Sequence, residues 1–255
     1  MKLFTVPNLF TLANLLCGCL AVVFIFEGNP VISAYLVGVA AVLDFLDGFM
    51  ARLLNQHSPI GKELDSLADC VTFGVVPGIL MFKMISWMIT LNNQVESEMI
   101  ATYLPYVAFI IPLFSALRLA KFNIDTRQSE SFIGVPTPAN SILLCSFPVI
   151  MYFNKSIAAP DGTLIEPLPD FLFNPWFYAG LSLVMSVLLI SEIPLFALKF
   201  KSFGWKKNEI RYIFLGMSLI LLIVLREIAL PLIIALYILL SVVNNLLNRS
   251  AENKA

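Results

Sequence analysis

Four aspartates, Asp44, Asp47, Asp65 and Asp69, fall within 26 positions of a chain that is otherwise largely apolar in that region. On a helix turning about 100° per residue, Asp44 and Asp47 stand about 60° apart, and Asp65 and Asp69 about 40° apart. The ten-residue stretch Asn55–Leu64 between the pairs holds Ser58-Pro59 and Gly61, and it is short enough to make two helices antiparallel neighbours. The four carboxylates then converge at one end of that pair. Hard oxygen ligands without His or Cys suit Mg²⁺, Mn²⁺ or Ca²⁺ and not zinc. A charged side chain at bilayer depth costs about 2.5–3.5 kcal/mol, so clustered acids in apolar helices demand a reason. The bland alternative is that they are solvated helix-end residues, or are salt-bridged to Arg52 and Lys62.

Small residues and a cation accompany the acids. Gly48 and Ala51 share the face of Asp44 and Asp47, leaving a shallow groove where a ligand can approach the backbone. Close helix packing through small residues is the competing explanation. Arg52 can clamp a phosphate with its planar fork. Metal, arginine and a groove open to both lipid and cytosol point to a substrate with a diphosphate head and acyl tails. Asn8, Thr11 and Asn14 recur at steps of three and form a polar stripe on an apolar helix. Asn8 is expected to cap that helix, and capping leaves Thr11 and Asn14 unexplained. His57 has no partner at ligand spacing and reads as an incidental, exposed histidine. Cys17, Cys19, Cys70 and Cys145 lie in apolar stretches without metal-type pairing and read as small hydrophobes.

These residues need elements to hold them, and composition dictates which. Of 255 residues, 59% are hydrophobic and only 13% charged, where a soluble domain carries about 25%. The mean hydropathy is +0.87. A soluble globule, a disordered chain, a collagen-like repeat and a secreted disulfide scaffold are excluded. The net charge of −1 says nothing about partners, because most of the charge sits between spans; no basic stripe is visible, which argues against nucleic acid. Met1-Lys2-Leu3 is too short a basic region to predict a cleaved signal. A membrane-crossing helix needs about 20 largely apolar residues, and eight candidates appear. They lie near Asn8–Phe26, Val31–Leu54, Ser66–Met88, Thr102–Phe122, Pro138–Phe153, Pro175–Leu195, Ile210–Leu225 and Ile228–Leu247. The expected fold is all-α, a polytopic membrane helix bundle forming one domain over residues 1–255.

Charge then orients the bundle. Loops counted alternately place Lys2, Arg52, Lys62, Arg118, Lys121, Arg127, Lys199, Lys201, Lys206, Lys207, Arg211, Arg249 and Lys254 on one side. Lys155 and Arg226 fall on the other, and Lys83 lies inside the third span. This asymmetry predicts cytoplasmic termini and a cytoplasmic site in the cell (inner) membrane. The lysines between Lys199 and Lys207 read as orienting charges that also meet anionic lipid.

The segment Asp44-x2-Asp47-Gly48-x2-Ala51-Arg52-x8-Gly61-x3-Asp65-x3-Asp69 resembles, at every defined position, the signature of the CDP-alcohol phosphatidyltransferases. The resemblance implies that Asp44, Asp47, Asp65 and Asp69 bind a pair of divalent metal ions, Mg²⁺ or Mn²⁺. It implies that Gly48, Ala51 and Arg52, within a signature that includes Gly61, hold the CDP moiety, and that Asp69 acts as base. It also implies a six-helix core, placed here at residues 1–195 with two additional spans over 196–255, and a homodimer. The helix carrying Asn8, Thr11 and Asn14 borders the nucleotide in this family, which assigns the stripe to cytidine. Arg118-Leu119-Ala120-Lys121-Phe122-Asn123, the run Phe132–Asn140 and the run Ser66–Gly74 are similar to the integral-membrane phosphatidylserine synthases. Candidates for a serine site are Arg118, Lys121, Asn123, Thr137 and Asn140. A zwitterionic acceptor needs an anion site for its carboxylate, which Arg118 or Lys121 can supply; both can equally be positive-inside anchors.

The expected activity is phosphatidyl transfer from CDP-diacylglycerol to L-serine, giving phosphatidylserine and CMP. Within the family, glycerol 3-phosphate or an inositol phosphate is the alternative acceptor. A cation channel or proton-coupled transporter is the rival of another class, since intramembrane acids also mark ion paths. That rival predicts acids spread through the bilayer depth. Here the mid-span acids are few, Glu192 being the main one, and no inverted repeat with broken helices is visible.

Overall fold

The computed structural model describes residues 3–56, 58–92, 95, 97–125, 131–154, 157–158, 164–165, 168–196, 204–205 and 208–252. The topogenic charges Lys2, Arg127, Lys155, Lys199, Lys201, Lys206, Lys207 and Lys254, and the incidental His57, lie outside the described residues, as does the side chain of Arg249.

The first helix, α1, runs Val6–Phe26, and its cap is Thr5, not Asn8. Thr5 is extended and accepts from the Asn8 amide, while Pro7 takes the first turn, where a missing N–H costs nothing. Asn8 therefore sits inside the helix, and its Nδ2 donates to the Leu3 carbonyl at 2.8 Å. Asn8, Thr11, Asn14, Gly18, Ala21 and Ile25 are buried at steps of three and four, while Leu9, Leu12, Leu16 and Leu20 face outward. The polar and small face is inside and the apolar face outside, as a lipid-facing helix requires.

A tight turn with Gly28 at φ +79° leads into α2, Pro30–Leu53. That helix ends where Asn55 turns left-handed at φ +51° and the Gln56 amide reaches back to the Ala51 carbonyl at 3.0 Å, closing the end by a six-residue loop. The next helix, α3, runs Pro59–Asp69, with Ser58 capping it by accepting from the Gly61 amide at 3.0 Å. The expected start at Ser66 and the ten-residue connection are thus corrected. Ser-Pro is a helix start, so the connection shrinks to residues 54–58, and Gly61 is helical. A π-helical turn, Cys70–Val75, follows Asp69 directly and passes into α4, Val76–Asn92.

Beyond α4 come α5 (Glu98–Tyr103), a 3₁₀ segment Leu104–Phe109, and α6 (Ile110–Ile124). A strand β1 (Ser131–Ile133) precedes α7 (Thr137–Phe153), which carries Pro148 inside it. Two-residue strands β2 (Ile157–Ala158) and β3 (Leu164–Ile165) pair with each other. The 3₁₀ turn Asp170–Phe173, α8 (Pro175–Ile190), β4 (Pro194–Phe196), α9 (Glu209–Leu225), a 3₁₀ turn Arg226–Ile228 and α10 (Ala229–Glu252) complete the order. Among the described residues the molecule is all-α apart from these short strands.

Among the described residues, five helical stretches are long and apolar enough to cross a membrane: Val6–Phe26, Pro30–Leu53, Pro59–Leu91, Glu98–Ile124 and Glu209–Leu246. Thr137–Phe153 and Pro175–Ile190 are apolar and shorter. The last of the five is a hairpin, because Arg226 at φ +51° breaks the helix and the rings of Phe214 and Tyr237 meet at 5.6 Å. On a straight rod those residues would stand about 35 Å apart. The core gathers round α4, whose Leu80, Met81, Met84 and Ile85 are fully buried. Its glycine Gly78 lets α6 come close, since a Cβ there would lie 2.7 Å from Pro112 Cδ.

Candidate active site

Asp44, Asp47 and Asp65 each present a carboxylate oxygen, and the three oxygens lie within 4.8 Å of one another. The five-residue connection and the packing of both α2 and α3 on α1 make this possible. Two ionised carboxylates at such a distance repel by about 3–4 kcal/mol at an effective dielectric of about 20. Neither Arg52 nor Lys62 forms an ion pair with them among the described residues: Lys62 Nζ donates to the Asn123 carbonyl at 2.7 Å, and Arg52 is exposed. The salt-bridge alternative therefore falls away.

The α1 stripe serves the acids directly. Thr11 Oγ1 stands 2.7 Å from Asp47 Oδ2 and 3.2 Å from the Pro7 carbonyl. Its single proton goes to the closer, charged acceptor. Asn14 Nδ2 donates to Asp69 Oδ1 at 3.1 Å, and Thr72 Oγ1 donates to the Asn14 carbonyl at 3.2 Å. Asp69 thus sits one turn beyond the trio, aimed from α1 and followed at once by the π turn. Asp65 Oδ1 and Asn14 Oδ1 are buried without a protein partner.

Beside the trio opens a cleft of about 480 Å³. Asn8, Thr11, Asp47, Ala51, Gly61 and Asp65 line it, together with Pro7, Gln56, Ser58, Pro59 and Lys62. The start of α3 forms one wall, where free amides and the helix dipole favour an anion. Gly61 makes that wall close-fitting, since a Cβ would stand 3.0 Å from both Asn8 Oδ1 and Ser58 Oγ and push those side chains aside. Of the residues assigned to CDP from sequence, Gly48, Arg52 and Asn14 are not in the wall. Gly48 leaves room along α2, and Arg52 Nη1 lies 3.9 Å from where its Cβ would be. Sequence reasoning missed Gln56, Ser58 and Lys62. Reading Ser58-Pro59 as a helix cap and first residue would have found them.

The five acceptor candidates separate. Arg118 is 7% exposed. Its Nε donates to the Val135 carbonyl at 3.1 Å, and its guanidinium lies over the Phe122 ring at 5.1 Å. Thr137 and Asn140, at the start of α7 just past Val135, are buried, and their side-chain polar atoms have no protein partner. Lys121 is engaged with Glu192 at 3.0 Å on the exposed rim. Asn123 Nδ2 donates to Ser66 Oγ at 2.8 Å and ties α6 to α3. Glu192 is not a mid-span acid: α8 ends at Ile190, and Glu192 lies beyond it.

A family model described as CDP-alcohol phosphatidyltransferase matches residues 4–189, which include every residue of the aspartate cluster and the cleft. The chain belongs to the CDP-alcohol phosphatidyltransferase family. It is 30% identical over 246 residues to the CDP-diacylglycerol–serine O-phosphatidyltransferase of Helicobacter pylori (strain J99), covering 94% of this chain and 91% of that one. To the protein of the same name in Bacillus subtilis it is 36% identical over 138 residues, 52% of this chain and 69% of the relative. To that of Methanocaldococcus jannaschii it is 34% identical over 160 residues, 62% of this chain and 68% of the relative.

A divalent cation is what this family implies, and the site fits one. Three convergent hard-oxygen ligands, a buried Asp65 oxygen lacking any partner and the absence of a neutralising ion pair among the described residues are the features such an ion would satisfy. In this phosphatidyltransferase, α9 and α10 lie outside the matched segment.

Proposed function

We propose that this chain transfers a phosphatidyl group from CDP-diacylglycerol to L-serine, releasing CMP. The observation that carries the proposal is the convergence of Asp44, Asp47 and Asp65 from α2 and α3, with Asp69 one turn on, beside a cleft with an anion-favouring helix start. The names of its relatives support serine as the acceptor.

Asp44, Asp47 and Asp65, with Asp69 adjoining, would hold divalent cations, Mg²⁺ or Mn²⁺ and two in number. When bound, the cations supply charge neutralisation at the diphosphate and at the departing CMP oxygen. The remaining work belongs to the chain. The cleft walls from α1, α2 and α3 hold the nucleotide, with Asn8 and Gly61 against it and Arg52 reaching the phosphates from the rim. Thr11 holds Asp47, and Asn14 holds Asp69, in fixed rotamers. Asp69 accepts the serine hydroxyl proton as that oxygen attacks phosphorus in line. The new bond is serine O–P, and the bond broken is the P–O bond to CMP. Arg118 receives the serine carboxylate, with Thr137 and Asn140 as polar neighbours. With Lys121 paired to Glu192, Arg118 is the buried cation among the described residues. One such cation matches one carboxylate better than an acceptor carrying an additional phosphate.

The architecture proposed with this activity has eight spans: a six-helix core over residues 1–195 and the α9–α10 hairpin over 196–255, in one domain. The short α7 and α8 count as spans, and the hairpin counts as two. Both termini and the site face the cytoplasm of the inner membrane, following the basic residues, and the working unit is a homodimer. The test is CMP release by purified protein with CDP-diacylglycerol, Mn²⁺ or Mg²⁺, and serine, glycerol 3-phosphate or inositol phosphate in turn. Serine-dependent release, lost on chelation, is expected. Release driven by either phosphorylated acceptor and not by serine would overturn the assignment.

A further inference from the structure

The α9–α10 hairpin lies outside the family segment and at the periphery of the bundle: many of its apolar side chains, among them Leu219, Ile220, Ile223, Val224 and Leu239, are exposed. Core packing therefore gives it little to do. Its polar contacts are more specific. Asn245 Nδ2 donates to the Pro194 carbonyl at 2.6 Å, and the Tyr237 hydroxyl donates to the Phe196 carbonyl at 2.8 Å. Successive backbone carbonyls of a strand point to opposite edges, so those of Pro194 and Phe196 share one edge of β4, and β1 occupies the other, where the Ile193 carbonyl receives the Gly134 amide. The Tyr237 ring also packs edge-on against Phe196 at 4.9 Å, with Phe214 of α9 completing an aromatic trio.

From β4 the path leads inward. Ile133 pairs with Pro194, the Gly134 amide donates to the Ile193 carbonyl at 3.0 Å, and the Val135 amide donates to the Leu188 carbonyl at 3.1 Å. Gly134 holds φ +75°, and a Cβ there would lie 2.6 Å from the Leu189 carbonyl oxygen, so the turn has no slack. The next carbonyl, that of Val135, is the one that receives Arg118 Nε.

We infer that α10, through Tyr237 and Asn245, is a positioning element for Arg118: it fixes β4, β4 fixes the turn at Gly134–Val135, and that turn aims the guanidinium at the acceptor. Tyr237 and Asn245 are positioning residues that touch no substrate. The inference rests on the reading of Arg118 as the acceptor's anion site, and its test separates the two.

The experiment uses the full chain in lipid–detergent micelles with Mn²⁺, CDP-diacylglycerol and serine. Tyr237→Phe, which removes one hydroxyl and keeps the ring, and Asn245→Leu are each expected to raise KM for serine roughly three- to tenfold, the scale of one lost hydrogen bond. The kcat and the KM for CDP-diacylglycerol stay at the parent values. Arg118→Lys raises KM for serine by itself, and adding Tyr237→Phe to it brings no further rise, because the aim of a missing guanidinium no longer matters. An unchanged KM for serine in Tyr237→Phe overturns the inference. So does a loss shared equally by both substrates, or full additivity with Arg118→Lys. If Arg118→Lys leaves KM for serine unchanged, the acceptor reading itself fails and takes the inference with it.

Discussion

Asp69 differs from the other three aspartates in what surrounds it. It accepts from Asn14 on α1 and lies outside the oxygen trio. A base needs one fixed orientation and a free lone pair, and a single donated hydrogen bond leaves both. Asp69→Asn keeps the shape and removes the base, so CMP release is expected to fall by about 10²–10⁴ while the protein still binds CDP-diacylglycerol. Full activity in that variant, measured by CMP release, would exclude the role. Thr11 acts on a ligand and not on substrate. Thr11→Val removes the 2.7 Å bond to Asp47 and should weaken the apparent Mn²⁺ affinity about 10–100-fold in a metal titration of activity. The aspartates were legible in the chain because their spacing is local. The partners of Thr11 and Asn14 were not, since the stripe reads equally well as facing a nucleotide.

Elements place these side chains by close approach. Helix α4 meets α6 at Gly78, and the π turn meets α6 at Gly74, where a Cβ would lie 3.0 Å from Ser115 Cβ. A π turn inside an otherwise α-helical rod rotates the register of every residue C-terminal to it. Here it separates the face carrying Asp65 and Asp69 from the face that packs Gly74 and Gly78 on α6. Gly78→Ala forces Pro112 away and is expected to cost about 1–3 kcal/mol, read as a lowered midpoint of thermal unfolding in detergent. An unchanged midpoint would mean that α6 moves freely. Helices of this length and hydropathy were legible from composition. The start of α3 was misplaced because apolar runs mark where a helix meets lipid, whereas a polar helix start is marked by its cap. The β1–β4 pair was not anticipated, because three-residue strands about 60 positions apart carry no periodic signal.

At the scale of the whole molecule, the site joins the first three helical rods, and like charges strain that junction until something neutralises them. A cation bound by the native state and not by the unfolded chain stabilises it by about 2.7 kcal/mol at one hundred times its Kd. Thermal unfolding in detergent is therefore expected to shift upward with Mn²⁺, and the shift should vanish in Asp44→Asn or Asp65→Asn. The same variants should unfold no earlier than the parent without metal, since each also removes a repulsion. A parent protein whose midpoint ignores divalent ions would contradict the assignment of the trio. The bundle interior is polar and small along α1, while its outer face is apolar, so a lipid surround is what the fold needs.

The amino-acid sequence by itself determined the membrane-helical class and the aspartate cluster with its oxygen-ligand chemistry, because both depend on composition and on spacings within one or two neighbouring helices. Only the tertiary structure decided which acceptor candidates are engaged elsewhere. Lys121 meets Glu192 across 71 positions, and Arg118 is held by a carbonyl whose own place depends on β4 and, beyond it, on α10. Those contacts are set by packing between distant segments, and no local periodicity encodes them.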